Sequence, residues 1–314
     1  MIRIDSLVKN YGDFQALKSI SFDIHDGEIL GFLGANGAGK STTLKIMTGY
    51  LAPSAGNVLV DGQNVIDDSF AIREQIGYLP ETNPLYVEML VFDYLKFIAE
   101  VRELDGKAFN QALARVVEQC GLSEVIHKPI STCSKGYRQR VGLAAAMIHD
   151  PKILILDEPV SGLDPNQIVE IRELIKNLGR EKMVIMSSHI LQEIAATVDR
   201  IVIINQGEIV ANGTTQELMA SFQGKTKLTL EVTQATEESI EGLRQVEGLE
   251  VQDTKTEGDG HHILSIEYDL ETDPRADIFN YAKTSGWVIL EMSPYRVLLE
   301  DVFRDLTLEG GARA

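Results

Sequence analysis

The chain has almost no sulfur with which to cross-link itself and no long apolar run. Two cysteines, Cys120 and Cys133, stand in 314 residues. That is too few for a disulfide framework or a four-cysteine zinc site, so both are expected as reduced thiols. The best apolar strings, such as ILILDEPV and ILGFLGA, fall well short of the ~18–20 residues that a membrane-spanning helix needs. The opening MIRIDSLVKN lacks the apolar core of a secretion signal. A soluble, intracellular protein is the expectation.

Positive charge is scarce as well. Lys and Arg number 29 against 47 Asp and Glu, a net charge of −18, which opposes attachment to nucleic acid or to an anionic lipid surface. The imbalance is uneven: residues 225–314 hold 9 cations and 19 anions, leaving 20 and 28 for residues 1–224. Against that background STCSKGYRQR, Ser131–Arg140, stands out with three cations and no anion. Alone it could be a basic patch for nucleic acid, a reactive-thiol site at Cys133, or one part of a phosphate-binding surface completed elsewhere.

What is present in quantity is apolar sequence, 44% of the chain, enough for a buried core and for two domains. SISFDI, EILGFL and NVLVDG read as strands broken by glycine turns. From about residue 82 to 150 the character is helical: VFDYLKFIAEV and FNQALARVVEQC repeat apolar residues at i, i+3, i+4 and i+7, and GYRQRVGLAAAMIHD is rich in helix formers. Strands return as KILILDE, MVIMSS and RIVIIN, alternating with helical segments such as NQIVEIRELIKNLG. The pattern predicts an α/β domain over 1–224, a mostly parallel sheet covered on both faces with a helical insertion.

Past TTQELMASF, the segment SFQGKTKL reads as a junction. Residues 225–314 then run strand, helix, strand, strand, helix, strand, the split βαβ order of a ferredoxin-like α+β domain. LLEDVFRDLT is expected as a closing helix.

The chemistry concentrates in three stretches. GANGAGKST, comprising Gly34, Ala35, Asn36, Gly37, Ala38, Gly39, Lys40, Ser41 and Thr42, fits a phosphate-binding loop between an apolar strand and a helix. Its glycines let backbone N–H groups turn toward phosphate oxygens, and the helix N-terminus adds positive potential. Lys40 would reach the β and γ phosphates, with the Ser41 hydroxyl on Mg²⁺. ILILDEP ends a buried strand with Asp157, placed to hold Mg²⁺, and Glu158, placed to polarise an attacking water. MVIMSSH ends another strand with His189, expected at the γ-phosphate.

In this order the parts resemble the nucleotide-binding subunits of ATP-binding cassette (ABC) transporters over roughly residues 1–222. The resemblance adds Tyr11 as the residue that stacks on adenine, Glu81 of IGYLPE as a Mg²⁺ ligand, and SKGYRQR as the signature segment. It adds SGLDP, with Ser161, Gly162, Leu163 and Asp164, as a dimer-contact loop. It implies a head-to-tail homodimer around two ATP molecules, in which Ser134, Lys135 and Gly136 reach the partner's nucleotide in trans and hydrolysis drives a separate membrane permease. The chain would then sit in the cytoplasm, peripheral to the inner face of the membrane. YLPE, SKGYRQR and the C-terminal extension look most like subunits of exporter (ABC-2) type, nearest the gliding-motility-associated subgroup. The spelling departs from the family at Cys133, Lys135 and Tyr137 in the signature and at Glu81, where a glutamine is usual.

Two other readings compete. A soluble ATPase of the same fold acting on nucleic acid or the ribosome is disfavoured by the charge, the single cassette and the lack of a long coiled coil. A regulatory or binding role for the acidic C-terminal domain is not chosen by fold alone. Within that domain His261 and His262, beside Asp259, read either as a metal site or as a hairpin next to a strand. Leu85, Tyr86 and Phe92 of TNPLYVEMLVFDYL are expected at the permease-docking surface.

Overall fold

The computed structural model describes residues 1–222, 226–246, 248–258, 260–268, 273–295 and 303. The centre of the expected junction and, apart from Phe303, the expected closing helix LLEDVFRDLT lie outside the described residues. Contacts divide the chain into two compact units, one formed by Met1–Thr215 and the other beginning at Gln216.

In chain order the first unit opens with β1 (Ile2–Tyr11), β2 (Phe14–Ile24), β3 (Ile29–Leu33), α1 (Lys40–Met47), β4 (Ala55–Val60), β5 (Gln63–Asn64), α2 (Ser69–Gln75) and β6 (Ile76–Leu79). The helical segment follows as α3 (Val91–Val101), α4 (Gly106–Cys120) and α5 (Lys135–Met147). The rest is β7 (Ile153–Leu156), α6 (Pro165–Gly179), β8 (Met183–Ser188), α7 (Leu191–Ala195), β9 (Arg200–Asn205) and β10 (Glu208–Gly213); α8 (Thr215–Phe222) then spans the boundary between Thr215 and Gln216.

Two sheets share this unit. One is antiparallel, in the order β2-β1-β4-β5. The other runs β10-β9-β3-β8-β7-β6, every neighbouring pair parallel except β10 with β9. Every residue of β3, β7 and β8 is buried, which requires cover on both faces and explains why these strands read as unbroken apolar runs. Phe32 stacks on Phe22 at 5.5 Å between centroids, inside a core that also takes Leu44, Ile46 and Ile204. Burying each such aliphatic or aromatic side chain stabilises the fold by roughly 1.5–3 kcal/mol.

The helix ends are set by local chemistry. Ser134 caps α5 by accepting from the Tyr137 N–H at 3.2 Å, Asp164 caps α6 by accepting from the Gln167 N–H at 3.0 Å, and Gly121 closes α4 in the left-handed region at φ 63°. Among the described residues no helix is long and apolar enough to cross a membrane.

The second unit contains β11 (Thr226–Thr233), α9 (Glu237–Leu243), β12 (Leu249–Gly258), β13 (His261–Tyr268), α10 (Arg275–Ser285) and β14 (Val288–Tyr295). Its antiparallel sheet is ordered β12-β13-β11-β14, the ferredoxin-like arrangement. Along β13 burial alternates, with His262, Leu264, Ile266 and Tyr268 inside against Leu228, Leu230, Ile240, Ile278 and Trp287.

The same alternation separates His261 from His262. Successive strand residues face opposite sides of a sheet. His262 is buried and its Nδ1 meets the Thr256 hydroxyl at 3.1 Å, while His261 Nε2 meets Glu231 at 2.8 Å. Asp259 lies outside the described residues. Among those described, no group of three or more candidate ligands gathers anywhere in the chain.

Candidate active site

The parallel pairing aligns the carboxyl ends of four strands. Leu33 lies opposite Ser188, Leu156 opposite Met186, and Leu79 opposite Leu156. The chain therefore leaves the sheet along one edge at Gly34, Asp157, His189 and the segment holding Glu81, the edge at which open α/β sheets collect ligands. A cavity of about 440 Å³ opens there. One side is Asn36, Gly37, Gly39, Lys40, Ser41 and Thr42; the other is Glu81, Glu158, Ser161 and His189.

The phosphate loop is held by backbone geometry that its glycines permit. Gly37 and Gly39 sit at φ 81° and 114°, which an L side chain adopts only under strain. Gly39 also has no room for a Cβ, which would come within 2.8 Å of Leu17 Cδ2 and 3.0 Å of the Ala16 carbonyl. Lys40, only 6% exposed, donates to the carbonyls of Gly34 at 2.8 Å and Ala35 at 3.4 Å and approaches Glu158 Oε1 at 3.3 Å. A buried cation requires such partners. Here the loop's own carbonyls and Glu158 supply them.

Glu158 is the hub. It is 6% exposed and adopts φ 50°, a costly conformation for a residue with a Cβ, of the kind that clusters at functional sites. Its Oε1 faces Lys40 and its Oε2 lies 2.8 Å from His189 Nδ1. The Glu158 N–H donates to the Ser187 hydroxyl at 2.9 Å, and that hydroxyl donates to Asp157 Oδ1 at 2.6 Å. Ser187 thus fixes both carboxylate residues, a role the sequence reading missed; the only signal was a hydroxyl two residues before His189 on an apolar strand. Asp157, 1% exposed, is not among the residues lining the cavity.

At the far end Tyr11 lines the cavity together with Phe14 and Ala16. This end is tied to the phosphate loop by one residue of the β9–β10 turn: the Gly207 N–H donates to the Ala38 carbonyl at 3.0 Å, and its carbonyl accepts from Lys18 N–H at 2.8 Å. The separation of aromatic and phosphate ends is therefore built into the backbone.

Ser134, Lys135 and Gly136 do not line this cavity. They form the start of α5, where a Cβ on Gly136 would come within 2.8 Å of Gln167 Cδ and one on Gly162 would strike the Lys135 ammonium. The three cations of STCSKGYRQR divide accordingly. Arg138 Nε donates to the Cys133 carbonyl at 3.0 Å, and Arg140 donates to the Cys120 carbonyl at 3.0 Å and to Glu170 at 2.6 Å. Lys135 is left exposed, with its ammonium beside Gly162. Cys133 is buried, and that burial pushes its thiol up despite the nearby charges of Lys128 and Arg138. This is the reverse of what a reactive thiol needs, so that reading fails.

A larger cavity, about 640 Å³, lies between α2, β6 and the end of α3, lined by Tyr50, Phe70, Arg73, Tyr78, Arg102 and His149 among others. Tyr50 and Phe70 are exposed there, and the Tyr78 hydroxyl and His149 Nδ1 are buried with no hydrogen-bond partner. Burial lowers the His149 pKa to about 4, so its ring is neutral at pH 7. Of the residues expected at a docking surface, Tyr86 is exposed, with rings of Tyr94 and Phe97 at 6.0 and 5.5 Å. Leu85 is half-buried, and Phe92 packs on Phe109 and His127 inside the helical segment.

Comparison with known proteins agrees with this geometry. A family model described as "ABC transporter" matches residues 17–161. The chain is 32% identical over 305 residues to an uncharacterized ABC transporter ATP-binding protein, YdbJ, of Bacillus subtilis (strain 168), covering 96% of this chain and 94% of that one. It is 35% identical over 245 residues to the linearmycin resistance ATP-binding protein LnrL of the same organism, covering 78% and 79%. Among solved structures, cbiO1 from Clostridium perfringens, part of the ABC transporter complex cbiONQ, superposes with a TM-score of 0.65 at 30% identity, covering 70% of this chain and 90% of that one.

Proposed function

The chain belongs to the ATP-binding subunits of ABC transporters and is an ATPase, and from that premise we propose that two copies sandwich two ATP molecules and drive a separate membrane permease. The observation that carries the catalytic part is the placement of Glu158 between Lys40 and His189, at 3.3 and 2.8 Å, inside the cavity at the sheet edge.

In the proposed reaction the phosphate loop, Gly34 to Thr42, wraps the triphosphate with backbone N–H groups, and Lys40 leaves Glu158 for the β and γ phosphates. Glu158 then faces the attacking water, orients it and accepts its proton, while His189 contacts the γ-phosphate. The donors Ser41, Glu81 and Asp157 are the hard oxygen ligands that Mg²⁺ takes. Mg²⁺ would neutralise charge developing on the phosphates.

The signature residues Ser134, Lys135 and Gly136 lie outside the cavity that holds Lys40, which supports a role toward the partner's nucleotide. Ser161, Gly162, Leu163 and Asp164 are proposed to contact the partner subunit. Permease docking is assigned to Tyr86 and to the 640 Å³ cavity beside the helical segment, whose exposed Tyr50 and Phe70 await an apolar partner. The chain would then lie in the cytoplasm against the membrane. An exporter-type permease is favoured by the linearmycin-resistance name of one relative, and the gliding-motility subgroup by motif spelling alone.

The dimer can be tested with Glu158→Gln. With ATP, light scattering should show a mass twice that of the subunit, absent with ADP or without nucleotide. A variant that binds ATP yet stays monomeric at all concentrations tested would overturn the sandwich.

A further inference from the structure

Asn83 stands two residues after Glu81, yet it is not among the residues that line the nucleotide cavity. Its side chain reaches α5 instead. Asn83 Nδ2 donates to the Arg138 carbonyl at 3.0 Å across 55 residues of chain, and the Leu85 N–H closes a turn on the Asn83 carbonyl at 2.9 Å. α5 makes room for this contact at Gly142, where a Cβ would stand 2.6 Å from Asn83 Cγ and 2.7 Å from its Oδ1. Glycine inside a helix is unfavourable relative to alanine. Here it leaves the space that the carboxamide fills.

The residue that Asn83 holds is tied directly to the signature. The Arg138 N–H donates to the Ser134 carbonyl at 2.9 Å, and Arg138 Nε donates to the Cys133 carbonyl at 3.0 Å. Ser134 in turn caps the helix by accepting from the Tyr137 N–H at 3.2 Å. One hydrogen bond from the Glu81 segment therefore lands on the residue that fixes the backbone of Cys133 and Ser134. That backbone sets where the free N–H groups at the start of α5 point.

We propose that Asn83 is a positioning residue for the signature, setting the angle at which Ser134, Lys135 and Gly136 meet the nucleotide of the partner subunit. The inference rests on the reading that two copies sandwich ATP. Misplacing a group by about 1 Å from a distance can cost about 10²-fold in rate. Loss of a single side-chain hydrogen bond one turn from the signature is expected to cost about tenfold, which is ~1.4 kcal/mol.

Asn83→Ala removes the donor, and Gly142→Ala drives a methyl into the carboxamide, so the two break the same bond from opposite sides. The double variant Asn83→Ala/Gly142→Ala fills the notch with that methyl and improves α5 as a helix, which keeps the bond broken without a void. In the Glu158→Gln background, light scattering with ATP should show that each of the three needs about tenfold more subunit for half-maximal dimer. In the otherwise parental chain kcat should fall about tenfold. The ATP Kd of the dilute single subunit and the Mg²⁺ concentration giving half-maximal rate should be unchanged. Parental dimerisation and kcat in Asn83→Ala would overturn the proposal. Their recovery in the double variant would do the same, because Asn83 would then be a packing residue. A shift in ATP Kd or in Mg²⁺ dependence would also overturn it, since Asn83 would be acting through Glu81 in its own cavity. If Glu158→Gln itself stays monomeric with ATP, the sandwich reading and this inference fail together; dimers indifferent to Asn83 refute this inference alone.

Discussion

The phosphate end and the base end of the nucleotide cavity differ in how much of their structure exists before a ligand arrives. At the phosphate end Lys40 and Glu158 are each 6% exposed and already paired, Asp157 is held through Ser187, and the loop backbone is locked by glycines at φ 81° and 114°. At the base end Tyr11 and Phe14 are 47% and 63% exposed, with Lys9 over the Tyr11 ring at 5.4 Å. A buried charge left without a partner is costly, so the phosphate end has to be satisfied in the free protein. Aromatic faces carry no such requirement. They can wait in solvent, and in the proposed binding mode their contribution would come from desolvation and stacking when a base arrives.

The comparison can be broken first at Lys40. Lys40→Met removes the phosphate cation and strands Glu158 as a buried, half-paired carboxylate. ATP Kd, measured by calorimetry, should rise by about 10²–10³-fold, within the roughly 2–5 kcal/mol that truncating one partner of a buried charge pair across a binding interface costs. A rise under tenfold would show that the phosphate end is less dependent on this pair than its burial implies.

Ser187→Ala comes next. It leaves Asp157 without its buried donor and the Glu158 N–H without an acceptor, so thermal unfolding should show a loss of about 1–3 kcal/mol. Steady-state kinetics should show kcat falling with ATP affinity retained. If kcat is untouched, Ser187 is a packing residue only. The smallest effect is expected at Glu81→Gln. Glu81 is exposed on the cavity wall, and a change of a few-fold in the Mg²⁺ concentration giving half-maximal rate should result from removing one carboxylate charge. No change in either rate or Mg²⁺ dependence would remove Glu81 from the metal site.

The same contrast explains what could be read from the sequence. GANGAGKST, ILILDEP and MVIMSSH were legible because a phosphate loop, a buried acidic strand end and a strand-terminal histidine each fix residue type at fixed spacing along one element. The parallel sheet was legible from the fully apolar runs of β3, β7 and β8, and the C-terminal topology from alternation such as that along β13.

What escaped depends on contacts between distant segments. Ser187 matters because β7 and β8 are neighbours, which brings it to Asp157 across 30 residues of chain. Phe14 reaches the cavity because a hairpin turn sets it opposite Tyr11. The 640 Å³ cavity draws residues from Thr48 to His149, and no local pattern marks it. Cys133, suggestive beside three cations, is buried by the fold, which spacing along the chain does not reveal.

Glu158, poised between Lys40 and His189, is proposed to serve the attacking water rather than nucleotide binding. Single-turnover phosphate release should be compared between the parent chain and Glu158→Gln under conditions where both are saturated with ATP. ATP affinity should stay within a few-fold of the parent and the release rate should fall by about 10²–10⁴-fold, the contribution typical of a positioned general base. Release at the parental rate from a fully ATP-bound Glu158→Gln would contradict it.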